Sequence, residues 1–354
     1  MLGLLGMFLL ALTPIFWLVI ALCGLHMEAY KASLGALLVA IGAALLGWHM
    51  TPVNIATAAL EGFAMAVWPI VIVIIAAVFT YNLTVHTGAM DSIKRMLCGV
   101  SADRRVLTLL IGWCFGAFLE GMAGFGIPTT TLASITGIDP VQLATTQAVQ
   151  VFPFVVACPI LMVMLVGGGP KALKGALPVT LVAGLSFAIP ELVAAMFIGP
   201  ALADVVAAVF SLVLTFAFAL SREDAEVPAE HRLDVAQADG TDSETATQKL
   251  RAWSPFVLIF VVLLLTSKLV PAINEPLSAI KSTVNIYAGD PEATLTFTWV
   301  NTPGVLIMLC GIVGGIIQRC PAREMARVFR DTCVQMSKTI VTMLGVLAVA
   351  KIMG

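Results

Sequence analysis

The chain has 354 residues, of which 60% are hydrophobic and only 11% charged, and its mean hydropathy is +1.01. A soluble domain carries about 25% charged residues, so the composition excludes an ordinary soluble enzyme and implies a polytopic membrane protein. A net charge of −2 and a pI near 6.1 leave no basic surface for nucleic acid, and the 7 cysteines are scattered without a C-x-x-C pair, as small core residues rather than metal ligands or disulfides.

Apolar stretches long enough to cross a bilayer fall near 4–24, 32–48, 64–84, 106–126, 142–166, 174–196, 201–220, 253–273, 299–318 and 339–353. This predicts an all-α fold of about ten transmembrane helices. The opening stretch, Leu4 to Gly24, lacks a basic residue before it and a small-residue cleavage site after it, so it reads as a first span rather than a signal peptide. Val53 to Ala64 reads as a short interfacial helix leading into Trp68 and Pro69. Trp48, Trp68, Trp253 and Trp299 fall near span ends, as an aromatic belt would have them. Pro153 and Pro159 are expected to break the fifth span.

Residues 221–252 are polar, with few large apolar side chains, and read as a cytoplasmic linker between a first membrane bundle (1–220) and the start of a second, incomplete one (253–354). His231 in that linker reads as a solvated loop histidine. Pro321 to Lys338 interleaves Met325, Val328, Phe329 and Met336 with arginines, the pattern of an amphipathic helix on the membrane surface.

The basic residues test this layout independently. Lys31, Lys94, Arg95, Arg104, Arg105, Lys171, Lys174, Arg222, Arg232, Lys249, Arg251, Arg319, Arg323, Arg327, Arg330 and Lys338 all fall on one side, and only Lys281 stands opposite. By the positive-inside rule the basic loops face the cytoplasm and the N-terminus faces outward.

The stretch from Trp113 to Pro128 reads WCFGAFLEGMAGFGIP and holds one acid, Glu120, among Gly116, Gly121, Gly124 and Gly126. An ionised, unpaired carboxylate at the middle of a helix in lipid costs roughly 2.5–3.5 kcal/mol. Glu120 is therefore expected to be protonated or to face a protein-lined cavity, where it could take a proton from one side and release it to the other. The glycines fit a helix broken at membrane depth, which is tolerated only where it is buried in protein or lines a cavity; small-residue packing between helices gives the same pattern. Pro128 with Thr129, Thr130 and Thr131 could begin a second segment whose N–H groups and hydroxyls face an anion.

Other polar residues sit at depth. Glu61 precedes Gly62 near the outer boundary of the third span, where an exposed carboxylate costs little. Glu191 follows Pro190 and either lines a kinked vestibule or reaches water from the kink. Gln142, Thr145, Thr146 and Gln150 share one helix face, which suits a hydrogen-bonding wall beside Glu120 or plain interhelical bonding. Lys268 is expected to snorkel to the headgroups. Lys351 lies about thirteen residues, or roughly 20 Å, beyond Lys338, and its closeness to Gly354 gives no ground for assigning it a role. No P-loop, H-E-x-x-H or G-x-S-x-G is present, and His26, His49, His86 and His231 form no constellation, so no enzyme activity, metal site or cofactor is expected.

At Phe115 to Gly126, FGAFLEGMAGFG, the chain resembles the L-lactate permease family of proton-coupled 2-hydroxycarboxylate symporters. Ala59 to Arg95, TGIDP at Thr136 to Pro140 and FIGPALADVVAAVFSL at Phe197 to Leu212 extend the resemblance over nearly the whole chain. The resemblance implies a multi-pass carrier of the plasma membrane that imports lactate or glycolate with protons and binds no cofactor. It also implies a shortened member, because Gly126 leads almost directly into TGIDP and the chain reaches Gly354 before the family's second broken-helix motif. Ala148, Val149 and Gln150 stand where the family often has a Gly-Arg-Gln run, so the cation most naturally paired with a carboxylate substrate is missing there.

The expected site is thus Glu120 for the coupling proton and Gly121, Gly124, Gly126, Thr129, Thr130 and Gln150 for the substrate, with Glu61 and Glu191 as secondary candidates. The expected partners are a small organic anion, protons and the lipid bilayer, with a homo-oligomer left open. Two alternatives stand beside this: a sodium-coupled carrier of a sulfonate or dicarboxylate, and a truncated membrane protein that transports nothing.

Overall fold

A computed structural model describes residues 4–124, 129, 132–133, 137–200, 202–221, 227–232 and 245–354. Apolar side chains keep these segments in lipid, where every backbone N–H and C=O must be satisfied internally, and helices are the result. In chain order the helices are α1 (Leu4–Ala11), α2 (Thr13–Val19), α3 (Ala29–Leu46), α4 (Pro52–Met65), α5 (Ile72–His86), α6 (Ala89–Cys98), α7 (Arg104–Leu107) and α8 (Gly116–Gly124). They continue with α9 (Pro140–Val166), α10 (Leu177–Phe197), α11 (Ala203–Leu220), α12 (Ala246–Leu265), α13 (Pro271–Ala279), α14 (Pro303–Ile317) and α15 (Ala322–Met353).

Local chemistry sets the helix starts. Asp139 caps α9 by accepting from the N–H groups of Val141 and Gln142 at 2.9 and 3.0 Å, with Pro140 in the first turn. Thr51 and Pro52 do the same for α4, and Thr245 with Gln248 forms a capping box on α12.

Among the described residues, 7 helices are long and apolar enough to cross a membrane: α3, the run Pro52–His86, α9, α10, α11, α12 and α15. Thr13–Gly24 and α14 are apolar but shorter, so the expected count of about ten spans is not reached by length. Leu46, Phe154, Leu165 and Phe197 are each at least 70% exposed, the side chains of lipid-facing helices rather than of a soluble surface.

Several boundaries differ from expectation. Residues 53–64 do not form a separate interfacial helix; α4 runs into α5 through a π-helical turn with a break at Trp68 (φ −128, ψ 116), and the Trp68–Pro69 peptide is cis. Pro153 and Pro159 do not end α9, which runs on to Val166, because tertiary packing outweighs the lost hydrogen bonds. The surface helix expected over 321–338 and the last span form one continuous helix, α15. Residues 281–298, left unassigned by hydropathy, hold an antiparallel hairpin of β1 (Lys281–Val284) and β2 (Leu295–Thr298), with Lys281 opposite Thr298. Lys268 lies beyond the end of α12 and is exposed, as snorkelling requires.

The chain divides into two compact units. The first comprises Met1–Phe79, Glu275–Met308 and Arg323–Gly354. Its core is built from small residues, Ala36, Ala40, Ala44 and Ala58, with Ile55, Val349 and Ile352. Gly62 lets α15 approach closely: a Cβ there would lie 2.6 Å from Ala348 Cα. Trp68 packs on Trp299 at 5.0 Å and donates its indole N–H to the Thr298 carbonyl at 3.0 Å.

The second unit comprises Thr80–Asn274 and Leu309–Ala322. Val106, Leu109, Leu110, Val163, Val179 and Ala183 form its core. The Ala183 carbonyl accepts from the Trp113 indole at 3.2 Å and from the Ser211 hydroxyl at 2.9 Å, fastening three helical segments at one point. Phe115, Phe118, Trp253 and Phe256 meet edge to face.

Candidate functional site

In the second unit, residues 104–124 are helical throughout, with a π-helical stretch at Thr108–Phe115 before α8. Glu120 lies in α8 and is exposed. Its neighbour Gly121 presses on the first turn of α11: a Cβ there would meet the backbone carbon of Asp204 and the nitrogen of Val205 at 3.2 Å. The glycine therefore brings the Glu120 turn against Asp204. The Glu120 charge acts on Asp204, and both act on Glu191 in α10. Glu191 and Asp204 are half-buried. Chains of Asp and Glu in membrane interiors are the material of proton relays.

Sequence reasoning named Glu120 and Glu191 but missed Asp204. The available signal was an acid one turn into a span, at Ala203–Asp204, which reads equally well as a boundary residue favoured at a helix N-terminus.

Among the expected substrate residues, Thr129 donates its hydroxyl to the Gln147 side-chain carbonyl at 2.7 Å. The amide that meets the threonine is thus Gln147, while Gln150 is exposed. Gly124 is the last residue of α8; Gly126 and Thr130 lie outside the described residues. On the expected polar face, Thr145 and Thr146 return their hydroxyls to the carbonyls of Val141 and Gln142 in their own helix.

The expectation of a solvated loop histidine at His231 is also corrected. His231 is buried at 3% exposure, with Arg104 Nη2 3.4 Å from its Nδ1, and Arg232 pairs with Asp103 in an antiparallel bridge. At the same corner the Arg105 guanidinium forms a fork on the Asp103 carboxylate (2.7 to 3.2 Å) and donates to the carbonyls of Ala172 and Lys174 at 2.7 and 3.1 Å. Both residues are 1% exposed.

The first unit holds a second polar centre. Glu61, expected at an exposed boundary, is instead buried at 5% exposure, and Lys351 Nζ lies 2.6 Å from its Oε1. Burial follows from Gly62, which draws the α15 backbone onto the same turn of α4. The Lys351 side chain is 38% exposed and opens into a cavity of about 420 Å³. Lys351 shares a helix face with Ala348, one turn earlier, and that small-residue face was the sequence signal for an inward-pointing lysine. At the edge of this unit Glu28 accepts from Lys338 and Lys31, and the Lys338 and Lys31 ammonium groups hold its exposed carboxyl down to about 2.

The chain matches the family model described as L-lactate permease over residues 7–130 and 125–354. It is 32% identical to an L-lactate permease of Streptococcus iniae over 98% of this chain and 79% of that protein. It is 31% identical to an L-lactate permease of Escherichia coli strain K12 over 73% of this chain, and spans 54% of that relative's length. A glycolate permease of the same strain, GlcA, is 28% identical over 97% of this chain and 73% of its own length. No solved structure matches the chain.

Proposed function

Because the chain belongs to the L-lactate permease family, we propose that it is a secondary transporter that carries lactate, glycolate or a related 2-hydroxycarboxylate across the plasma membrane with protons. Glu120 carries the coupling proton, with Asp204 and Glu191 as the neighbouring acids that receive it. The observation that supports this most is the close approach of the Glu120–Gly121 turn of α8 to Asp204 on α11, with Glu191 on α10 within reach of both charges. A 2-hydroxy acid is mostly ionised at neutral pH, so moving it with one proton is electroneutral and lets a pH gradient drive uptake. The substrate carboxylate is received along the glycine-containing segment Gly121, Gly124 and Gly126, with Thr129, Thr130 and Gln150 as hydroxyl and amide partners.

The basic loops face the cytoplasm and the N-terminus faces outward; the meeting of Lys31 and Lys338 on one Glu28 supports their assignment to one side. Residues 221–252 link two bundles on that side, with their His231 stretch pinned beside Arg104.

The test is uptake of radiolabelled L-lactate into proteoliposomes. An inward-directed proton gradient should drive accumulation without sodium, and Glu120→Gln should abolish it. Undiminished uphill uptake by Glu120→Gln would refute the role of this acid, and a strict sodium requirement, or preference for a sulfonate or dicarboxylate, would replace the proposed coupling and substrate.

A further inference from the structure

Among the described residues no cation is paired with the acid cluster of the second unit, whereas the first unit sets a half-exposed one against a buried carboxylate. We infer that Lys351 is the carboxylate-receiving group of a second small-anion site, separate from the glycine-containing segment, and that Glu61 is its resident counter-ion, which takes up a proton when the anion docks there. This rests on the transport reading above for the class of anion, a small 2-hydroxy monocarboxylate.

The geometry of the pair points to exchange. An ammonium has three N–H donors, and Glu61 approaches it from the protein side at 2.6 Å. The carboxylate is the sequestered member, its side chain 7% exposed, whereas the lysine side chain is 38% exposed. The open side of the ammonium looks into the cavity of about 420 Å³, a volume within the range of small-molecule sites. Ala40, Ala44 and Ala58 form an apolar wall suited to a short carbon chain, and Tyr287 and Trp48 bring a phenol and an indole to the same space.

Charge balance supplies the coupling. With Glu61 ionised and Lys351 protonated the pair is neutral. An incoming carboxylate that takes the ammonium would leave the buried Glu61 carboxylate, its side chain 7% exposed, as an uncompensated negative charge, which is costly. If Glu61 accepts a proton from water as the anion arrives, the ammonium changes partner and the site stays neutral. The other titratable groups lining the cavity are Tyr287, Asp290 and the terminal carboxylate of Gly354, the last residue of the sequence, which like Asp290 opposes an anion arriving without a proton. Asp290 accepts the Glu292 N–H at 2.9 Å and is exposed, so it adds negative charge that opposes an anion arriving without a proton. The remaining walls, from α1, α3 and α15, contribute apolar side chains.

Purified protein in nanodiscs is titrated with L-lactate, glycolate, acetate and malonate by calorimetry in two buffers of different ionisation enthalpy, which counts protons bound per anion. Wild type should take up about one proton per monocarboxylate. Lys351→Met should weaken binding on the order of 30-fold or more, the loss seen when one member of a buried charge pair is truncated. Glu61→Gln should bind at least as tightly as wild type with no proton uptake. The double variant Glu61→Gln/Lys351→Met carries no buried lone charge and should also fail to bind, which separates loss of the cation from misfolding. Wild-type affinity in folded Lys351→Met, or undiminished proton uptake in Glu61→Gln, overturns the inference while leaving lactate transport intact. Binding of acetate but not of lactate or glycolate at a Lys351-dependent site would retain the anion site and refute the substrate assignment.

Discussion

Among the described residues, two ion pairs hold a buried carboxylate, Asp103 with Arg105 and Glu61 with Lys351, and they differ in how their cations are held. Arg105 and Asp103 are each 1% exposed, and the guanidinium spends its donors on both carboxylate oxygens and on the carbonyls of Ala172 and Lys174. Lys351 and Glu61 share a 2.6 Å contact with the cation partly open to a cavity. A planar fork with four of its five N–H donors engaged and 1% exposure fastens a helix start to a loop and has little left to offer a ligand. A compact ammonium with one partner and open space beside it can trade that partner for another anion. The lesson is that burial of charge identifies a lock or a site only once the unused donors have been counted.

Substitutions can break or sharpen that contrast. The largest effect should come from Asp103→Ala, which strands the Arg105 charge and should cost about 3–5 kcal/mol; the folded fraction and the thermal midpoint after extraction measure it. Next, Gly62→Ala places a Cβ 2.6 Å from Ala348 Cα and Leu347 O, so α15 must move off α4. The expected loss is about 1–3 kcal/mol, with weakened anion binding because Lys351 is carried away from Glu61. A smaller change is expected for Glu61→Gln, which leaves Lys351 solvated by the cavity and should alter stability by no more than about 1 kcal/mol. Stability equal to that of Asp103→Ala would mean that the two pairs are the same kind of object.

Smallest of all is Glu28, an exposed carboxylate shared by Lys338 and Lys31. Its pKa in the folded protein, about 2, lies below its ordinary value of 4.5. Its contribution is complete above the ordinary value and is lost as pH falls through about 2. Glu28→Gln should therefore lower the neutral-pH melting temperature slightly, because the pair's full contribution is present there, and flatten the acid limb of a stability profile. An acid limb as steep in Glu28→Gln as in the wild type would count against this reading.

Much of the scaffold is legible in the residues themselves. Asp139-Pro140 announces the start of α9 and Thr51-Pro52 that of α4, because a cap and a fixed φ act within one turn. Continuity is less legible. Whether Pro153, Pro159 or Pro190 ends a helix depends on what packs around the freed carbonyls, and neighbouring helices decide that. The acids divide in the same way. Glu120 stands out because its own surroundings are apolar, whereas the burial of Glu61 is created by Ala348, far along the chain, meeting Gly62. Asp204 goes unmarked and His231 reads as solvated for the same reason: a position near a span end or in a polar stretch says nothing of the Gly121 or Arg104 that comes to lie against it.

The unbroken α15 has a mechanical consequence. At the usual rise its 32 residues extend for roughly 48 Å, well beyond the approximately 30 Å of hydrocarbon in a bilayer. About a third of the rod must therefore tilt or project among the headgroups, and Arg323, Arg327 and Arg330 crowd that excess. Bilayer thickness and the content of anionic phospholipid thus bear directly on how deep the far end of the same rod, with its lysine, is held.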